Sequence, residues 1–273
     1  MRVSIFYGQR GTTTHAEHVV MHLPGDFAVL EVQSRPESYP WAKYVWRYPE
    51  PANWTRFAGV LLQDIHWNRR IVQRSNVWGG MDETPGSGLI IMCMRLLILE
   101  NLRKLPPIYN ELMVTRIDNL YLCPEPPLRV RSGHIYIPEG EDYWGGVTDR
   151  SFTCTFEDAE KALSVLPWLI RHDNASISNP EQVLGRYFKG QRFTVQRYGR
   201  TQVVAIKKGS FTRWGTTHAH EHVPGMCDAP LVLKYPFEYP MVARTCRRQF
   251  DTCTNASRIR PWLTRIRGQM ALT

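Results

Sequence analysis

An α/β fold with a largely parallel sheet is predicted by two observations. Short β-branched and aromatic runs alternate with helix-forming stretches, and a glycine-bearing loop follows the first of those runs. Residues 3–7 are that first strand, and the loop Gly8-Gln9-Arg10-Gly11 comes directly after it. Thr14 is a candidate N-cap for a helix over residues 15–22, and a second strand is expected over 27–32. Sheets of this class bind ligands at the carboxyl ends of their strands, and the Gly8 loop falls at such an end.

Residues 35–78 turn rich in Trp, Tyr, Pro and Arg; Trp41, Trp46, Trp54, Trp67 and Trp78 are too closely spaced for a single core face. The segment reads as a partly irregular excursion whose rings either pack on sugar faces or fill a secondary core. The most apolar stretch, residues 89–99, is interrupted by Arg95 and falls short of the roughly 18 residues that a membrane span needs. It reads as a buried helix, ended by Pro106-Pro107. Residues 109–118 begin as a central strand and place Arg116 and Asp118 on the same side of its end. Strands over 135–137 and 152–155 and a helix over 158–171 complete one α/β domain, residues 1–190. Alternation over 193–208 reads as a β-hairpin turning near Gly199. Residues 191–273 are therefore expected to form a C-terminal extension packed on the main domain, a hairpin followed by a basic tail.

Of the 273 residues 43% are hydrophobic and 11% aromatic, ample for a packed core and far from a disordered composition. The first strand starts almost at Met1, with no signal-like segment before it, so the protein is expected to remain in the cytosol. Cys93, Cys123, Cys154, Cys227, Cys246 and Cys253 show no C-x-x-C pairing and are expected as free thiols, which makes the sequons at Asn53, Asn174 and Asn255 accidental. The net charge of +9 suits an anionic partner, with Arg244, Arg247, Arg248, Arg258, Arg260, Arg265 and Arg267 crowding the end of the chain. Nucleic acid is the lesser reading, because a nucleotide diphosphate needs only a few of these charges.

Asp142-Tyr143-Trp144-Gly145-Gly146-Val147-Thr148-Asp149-Arg150 is the most informative run. Its paired glycines let the backbone approach a ligand, its Trp can stack on a sugar, and its acids can take a proton. A single carboxylate opposite the leaving group suffices to deprotonate an acceptor hydroxyl, and such a transfer inverts the anomeric centre. Asp149 is the first candidate; Asp142, Glu139 and Glu141 crowd the same segment, and the bland alternative is a glycine turn with an Asp cap and Arg150 in a surface pair. At the other strand end Asp118 could hold Mn²⁺ or Mg²⁺ against a diphosphate while Arg116 neutralises more charge; the bland reading is a structural Arg–Asp pair. Arg95 is read first as a helix residue whose head reaches a polar edge, and second as a phosphate ligand. His218, His220 and His222 share one face if extended, but a surface segment is the preferred reading over a metal site.

Taken together, Tyr7-Gly8-Gln9-Arg10, Thr115-Arg116-Ile117-Asp118 and Trp144-Gly145-Gly146-Val147-Thr148-Asp149-Arg150 resemble the GT-A-type glycosyltransferases that large chlorella viruses encode for building the N-glycans of their capsid protein. The resemblance spans about residues 1–190. It implies a GT-A-like α/β domain with a mixed, mostly parallel sheet, and an inverting transfer with a nucleotide sugar as donor. UDP-xylose is favoured as that donor, with rhamnosyl or galactosyl transfer next. The acceptor implied is an oligosaccharide on a capsid glycoprotein in the host cytoplasm. By the same resemblance Tyr7, Gly8, Gln9, Arg10, Arg95, Arg116 and Asp118 face the nucleotide sugar, and Asp118 the divalent metal. Asp142, Trp144, Gly145 and Gly146 face the acceptor or sugar, and Asp149 is the base. Arg116 stands where related enzymes carry the first Asp of a D-x-D motif, which weakens the implied dependence on metal. A carbohydrate- or nucleic-acid-binding protein on an idle fold is the competing class.

Overall fold

The computed structural model describes residues 1–8, 23–32, 39–64, 66, 88–140, 142, 145–172, 179–207, 231–235 and 238–247. In chain order the strands are β1 (Arg2–Gly8), β2 (Asp26–Val32), β3 (Tyr44–Tyr48), β4 (Glu111–Arg116), β5 (Asn119–Tyr121), β6 (His134–Pro138), β7 (Ser151–Thr155), β8 (Thr194–Tyr198), β9 (Gln202–Lys207) and β10 (Leu231–Leu233). The helices are α1 (Trp54–Leu62), α2 (Gly88–Leu102), α3 (Ala159–Leu163), α4 (Val165–Arg171), α5 (Pro180–Gly190) and α6 (Tyr239–Cys246).

Alternation along the inner strands explains why the sheet is covered on both faces. In β1, Val3, Ile5 and Tyr7 enter the main core, whereas Phe6 joins a second cluster with Phe27, Val29 and Met113 on the opposite face. β2 and β4 divide in the same way, with Ala28, Leu30, Leu112 and Val114 on the main side. Burial on both faces is the signature of central strands in an α/β sheet. The main face is closed by α2, which is buried nearly all round, as its run of Leu, Ile and Met dictates. The second face receives Trp41, packed edge-on against Phe6, Phe27 and Tyr39 at centroid distances of 5.4, 6.1 and 5.8 Å. Trp54 is buried in the main core. Of the clustered tryptophans, Trp41 and Trp54 thus fill core, and Trp67 and Trp78 lie outside the described residues. The excursion is also more regular than expected: it contains β3 and α1, the latter capped by Asn53, whose side chain accepts from the Arg56 N–H at 2.8 Å.

The main sheet has seven strands in the order β3-β2-β1-β4-β7-β6-β8. β3, β2, β1 and β4 are mutually parallel, β7 is antiparallel to β4 and β6, and β8 is parallel to β6. This is the mixed, mostly parallel sheet of an α/β fold. β5, β9 and β10 form a second, antiparallel sheet of three strands.

Four expectations are corrected. The segment 193–208 is not a hairpin: β8 is the last strand of the main sheet and β9 lies in the small one, because the chain crosses between sheets at residues 199–201. Thr194–Tyr198 therefore belongs to the main sheet although it follows the division expected at residue 190. The helix over 158–171 is two helices joined at Ser164; Pro167 lacks the N–H that would bond back across the junction. Cys123 and Cys246 form a disulfide, Cα atoms 5.8 Å apart, whereas Cys93 and Cys154 are buried free thiols. A separation of 123 residues gives no sign of this pairing in sequence; the packing of α6 on β9 creates it.

Gly146 is set by packing. A Cβ there would overlap the backbone of Glu181 and Gln182 at the start of α5, and the Val147 N–H donates to the Glu181 carbonyl at 3.0 Å. Gly145 is exposed, with φ +71° and open space where a Cβ would lie. Gly146→Ala is expected to cost about 3 kcal/mol, because neither backbone can turn aside. Gly145→Ala, which pays only for its left-handed conformation, is expected to cost about 1 kcal/mol; urea denaturation of both variants measures the difference. Cys246→Ser is expected to lower stability by about 2–4 kcal/mol under non-reducing conditions, with wild type falling to the variant's level in reductant.

Candidate functional site

The strand order reverses between β1 and β4: β2 and β3 lie to one side, β7, β6 and β8 to the other. Reversal of this kind opens a crevice at the carboxyl ends of the two strands. Tyr7, at the end of β1, is in register with Arg116, at the end of β4, and the Ile117 N–H donates to the Tyr7 carbonyl at 2.9 Å. Gly8 lies so close to Ile117 that a Cβ would overlap that side chain. Residues 149 and 150 reach the same place because β7 runs antiparallel to β4: Ser151 pairs with Thr115, and the Arg116 N–H donates to the Arg150 carbonyl at 3.0 Å. Three segments far apart in sequence therefore meet at one strand end.

Asp149 is pinned through its backbone. The Tyr7 hydroxyl donates to its carbonyl oxygen at 2.9 Å and Arg95 Nη2 donates to the same atom at 3.1 Å. Both side chains are only 1% exposed. Burial raises the Tyr7 pKa, so the phenol keeps the proton it donates. Arg95, whose guanidinium lies 5.1 Å from the Phe152 ring centroid, takes the first of its two expected roles, a helix residue reaching a polar edge. Asp149 itself is 7% exposed.

Arg116 and Asp118 form a fork: Nε donates to Oδ1 at 2.8 Å and Nη2 to Oδ2. Their side chains are 20% and 13% exposed. For Asp118, burial favours the neutral acid, but Arg116, Lys234 and Arg150 outweigh it and hold the pKa below the usual carboxylate range. For Arg116, burial acts downward and Asp118 more than reverses it. Both oxygens of Asp118 are thus engaged by a guanidinium, and the other charged groups that act on it most are cations. A divalent metal at Asp118 would compete with Arg116 for those oxygens and would sit among like charges.

Several site members were not foreseen. Arg150, placed in a surface pair only by the bland alternative for its run, is 5% exposed; its Nη1 donates to Glu238 Oε1 at 2.6 Å and its guanidinium lies 4.2 Å from the Tyr235 ring centroid. Lys234, just past β10, is half-buried, and its pKa is pushed down to about 8 by burial and by Arg116 and Arg150, against the pull of Asp118 and Asp149. Nothing in Leu233-Lys234-Tyr235 signals this placement, since it depends on which edge β10 joins. Of the other acids weighed for the base, Asp142 is exposed and paired with Arg197, and Glu139 pairs with Arg244 at 3.3 Å. Neither joins the strand-end cluster. Gln9, Arg10, Glu141, Trp144 and the His218, His220 and His222 segment lie outside the described residues, as does most of the basic tail.

The sign of the Asp118 shift gives a test. A carboxylate with a depressed folded-state pKa contributes stability that is complete above its unfolded value, about 4, and is lost as pH falls through the folded value. The stability advantage of wild type over Asp118→Asn is therefore expected to be full near neutrality and to shrink below about pH 4, as read by urea denaturation across that range. No helix among the described residues is long and apolar enough to cross a membrane. No known protein-family signature matches the chain, and no curated protein is detectably similar to it.

Proposed function

We propose that the protein is an inverting, nucleotide-sugar-dependent glycosyltransferase with a GT-A-like domain, with UDP-xylose the favoured donor and a glycan the acceptor, as in capsid N-glycan synthesis. The observation that carries this reading is the meeting of Tyr7-Gly8, Arg116-x-Asp118 and Asp149 at the point where the strand order reverses. A cation-rich strand end suits a diphosphate, and a carboxylate beside it suits a base.

In this reading Asp149 accepts the proton of the acceptor hydroxyl. The hydroxyl oxygen bonds to the anomeric carbon from the face opposite the leaving group. The bond from that carbon to the diphosphate oxygen breaks, and its electron pair leaves with the nucleotide diphosphate. Positive charge fixed at the strand end stabilises the leaving group, because it is already in place when negative charge develops. The clamp of Tyr7 and Arg95 on the Asp149 carbonyl keeps the base in position, and fixed geometry of this sort contributes to rate without new contacts. Asp118 orients Arg116 and no step passes through a metal.

The expected result is slow hydrolysis of UDP-xylose by the purified protein, seen as UDP release, and faster release with a suitable oligosaccharide. Asp149→Asn is expected to reduce transfer by about a thousandfold or more while changing UDP affinity by less than about threefold. Full activity of that variant would remove Asp149 from the role of base. No binding of UDP-, GDP- or dTDP-sugars in a thermal-shift panel, with a salt-dependent shift on random oligonucleotides instead, would replace the enzyme by a nucleic-acid-binding protein.

A further inference from the structure

Lys234 reaches the strand end from the far side of the small sheet. Leu233 of β10 is in register with Ala205 of β9, and the Ala205 N–H donates to the Asp118 carbonyl at 3.0 Å. The next residue, Lys234, is held by its own N–H, which donates to the Val204 carbonyl at 2.8 Å. The chain therefore leaves β10 one strand beyond β9 from Asp118, and the Lys234 side chain acts electrostatically on Asp118 from there. The ammonium lies 5.2 Å from the Tyr235 ring centroid, and the Arg150 guanidinium lies over the same ring. Tyr235 thus keeps two cations close together that would otherwise separate.

The charges do not balance. Arg116, Arg150, Lys234 and Arg200 stand against Asp118, Asp149 and Glu238, so in this cluster of described residues four cations face three carboxylates. Asp118 is already chelated by Arg116, and Arg150 is bound to Glu238, whose other cationic neighbour is Arg200. Among the described residues the fork leaves Nη1 of Arg116 for another acceptor, and no side-chain acceptor takes the ammonium protons of Lys234. A phosphate or diphosphate supplies the missing negative charge; a divalent cation adds to the excess.

We propose that Lys234 and Arg116 form a metal-independent site for the diphosphate of the donor, in which side chains take the place of a divalent ion. The proposal rests on the glycosyltransferase reading and adds to it a residue, Lys234, and the mode of binding. Tyr235 and Arg150 act as positioning residues, fixing where Lys234 lies and adding to the field.

Isothermal titration with UDP, inorganic pyrophosphate and uridine, each in EDTA and again with Mn²⁺, tests this. UDP and pyrophosphate are expected to bind in EDTA, with Mn²⁺ changing either affinity by less than about threefold. Lys234→Ala is expected to weaken both by about tenfold, and Lys234→Arg to keep affinity within about threefold. Any uridine affinity should be the same in all three proteins. UDP binding that appears only with Mn²⁺ overturns the proposal and leaves the enzyme reading intact. Absence of UDP binding with and without Mn²⁺ overturns both. Unchanged UDP affinity in Lys234→Ala removes Lys234 from the site. The wild-type comparison in EDTA needs no variant, and Lys234→Gln stands in if Lys234→Ala does not fold.

Discussion

The buried carboxylate of Glu238 holds together parts of the chain that would otherwise be independent. It is fully buried, accepts from Arg150 Nη1 at 2.6 Å and from the Val204 N–H at 2.8 Å, and lies 3.7 Å from Arg200. One side chain therefore joins the loop before β7, the middle of β9 and the start of α6. Taking these charges out of water is expensive, and the arrangement is favourable only because the partners are present together and satisfy the oxygens. Loss of Glu238 would take a counterion from two buried guanidiniums. Arg150 is the neighbour of Asp149, so the position of the candidate base depends on a residue close to ninety positions further along the chain.

Around that anchor the geometry follows from ordinary packing. Alternation along β1, β2 and β4 gives the sheet two covered faces, as its parallel centre needs, and the strand order reverses between β1 and β4. The reversed strand β7 then returns the chain to the end of β4 and delivers Asp149 and Arg150 there. Gly146 lets that returning segment lie against the backbone at the start of α5, whose own N-terminus is fixed by Asn179 accepting from the Gln182 N–H at 2.8 Å. The paired glycines thus serve the placement of the loop, and the acid three positions on benefits from it.

Much of this was visible in the sequence where the signal is local. The apolar run of α2 and the strand Glu111–Arg116 follow from composition and period, and the Arg116–Asp118 pair was one of the two readings that their spacing allowed. What the sequence did not show depends on pairing between distant segments. Whether residues 202–207 fold back on 194–198 or join Asn119–Tyr121 is decided by tertiary contacts, because both arrangements satisfy the same alternation. The disulfide and the placement of Lys234 follow from that choice. A buried partner for Arg150 was not legible in the sequence, because no spacing rule links it to Glu238, the carboxylate that meets it in the folded chain. The same holds for Tyr7, whose hydroxyl turns inward to Asp149 because β1 places odd-numbered residues in the main core.

Chain order adds a constraint on how the molecule comes into being. The ribosome delivers β1, β4 and β7 well before residues 234 and 238, so the strand end passes through a stage in which Arg150 has no Glu238 and Asp118 has no Lys234. The cluster of charges is completed only when the segment from β10 to α6 arrives and docks. A nascent chain halted before that segment carries the sheet but leaves the cluster unfinished.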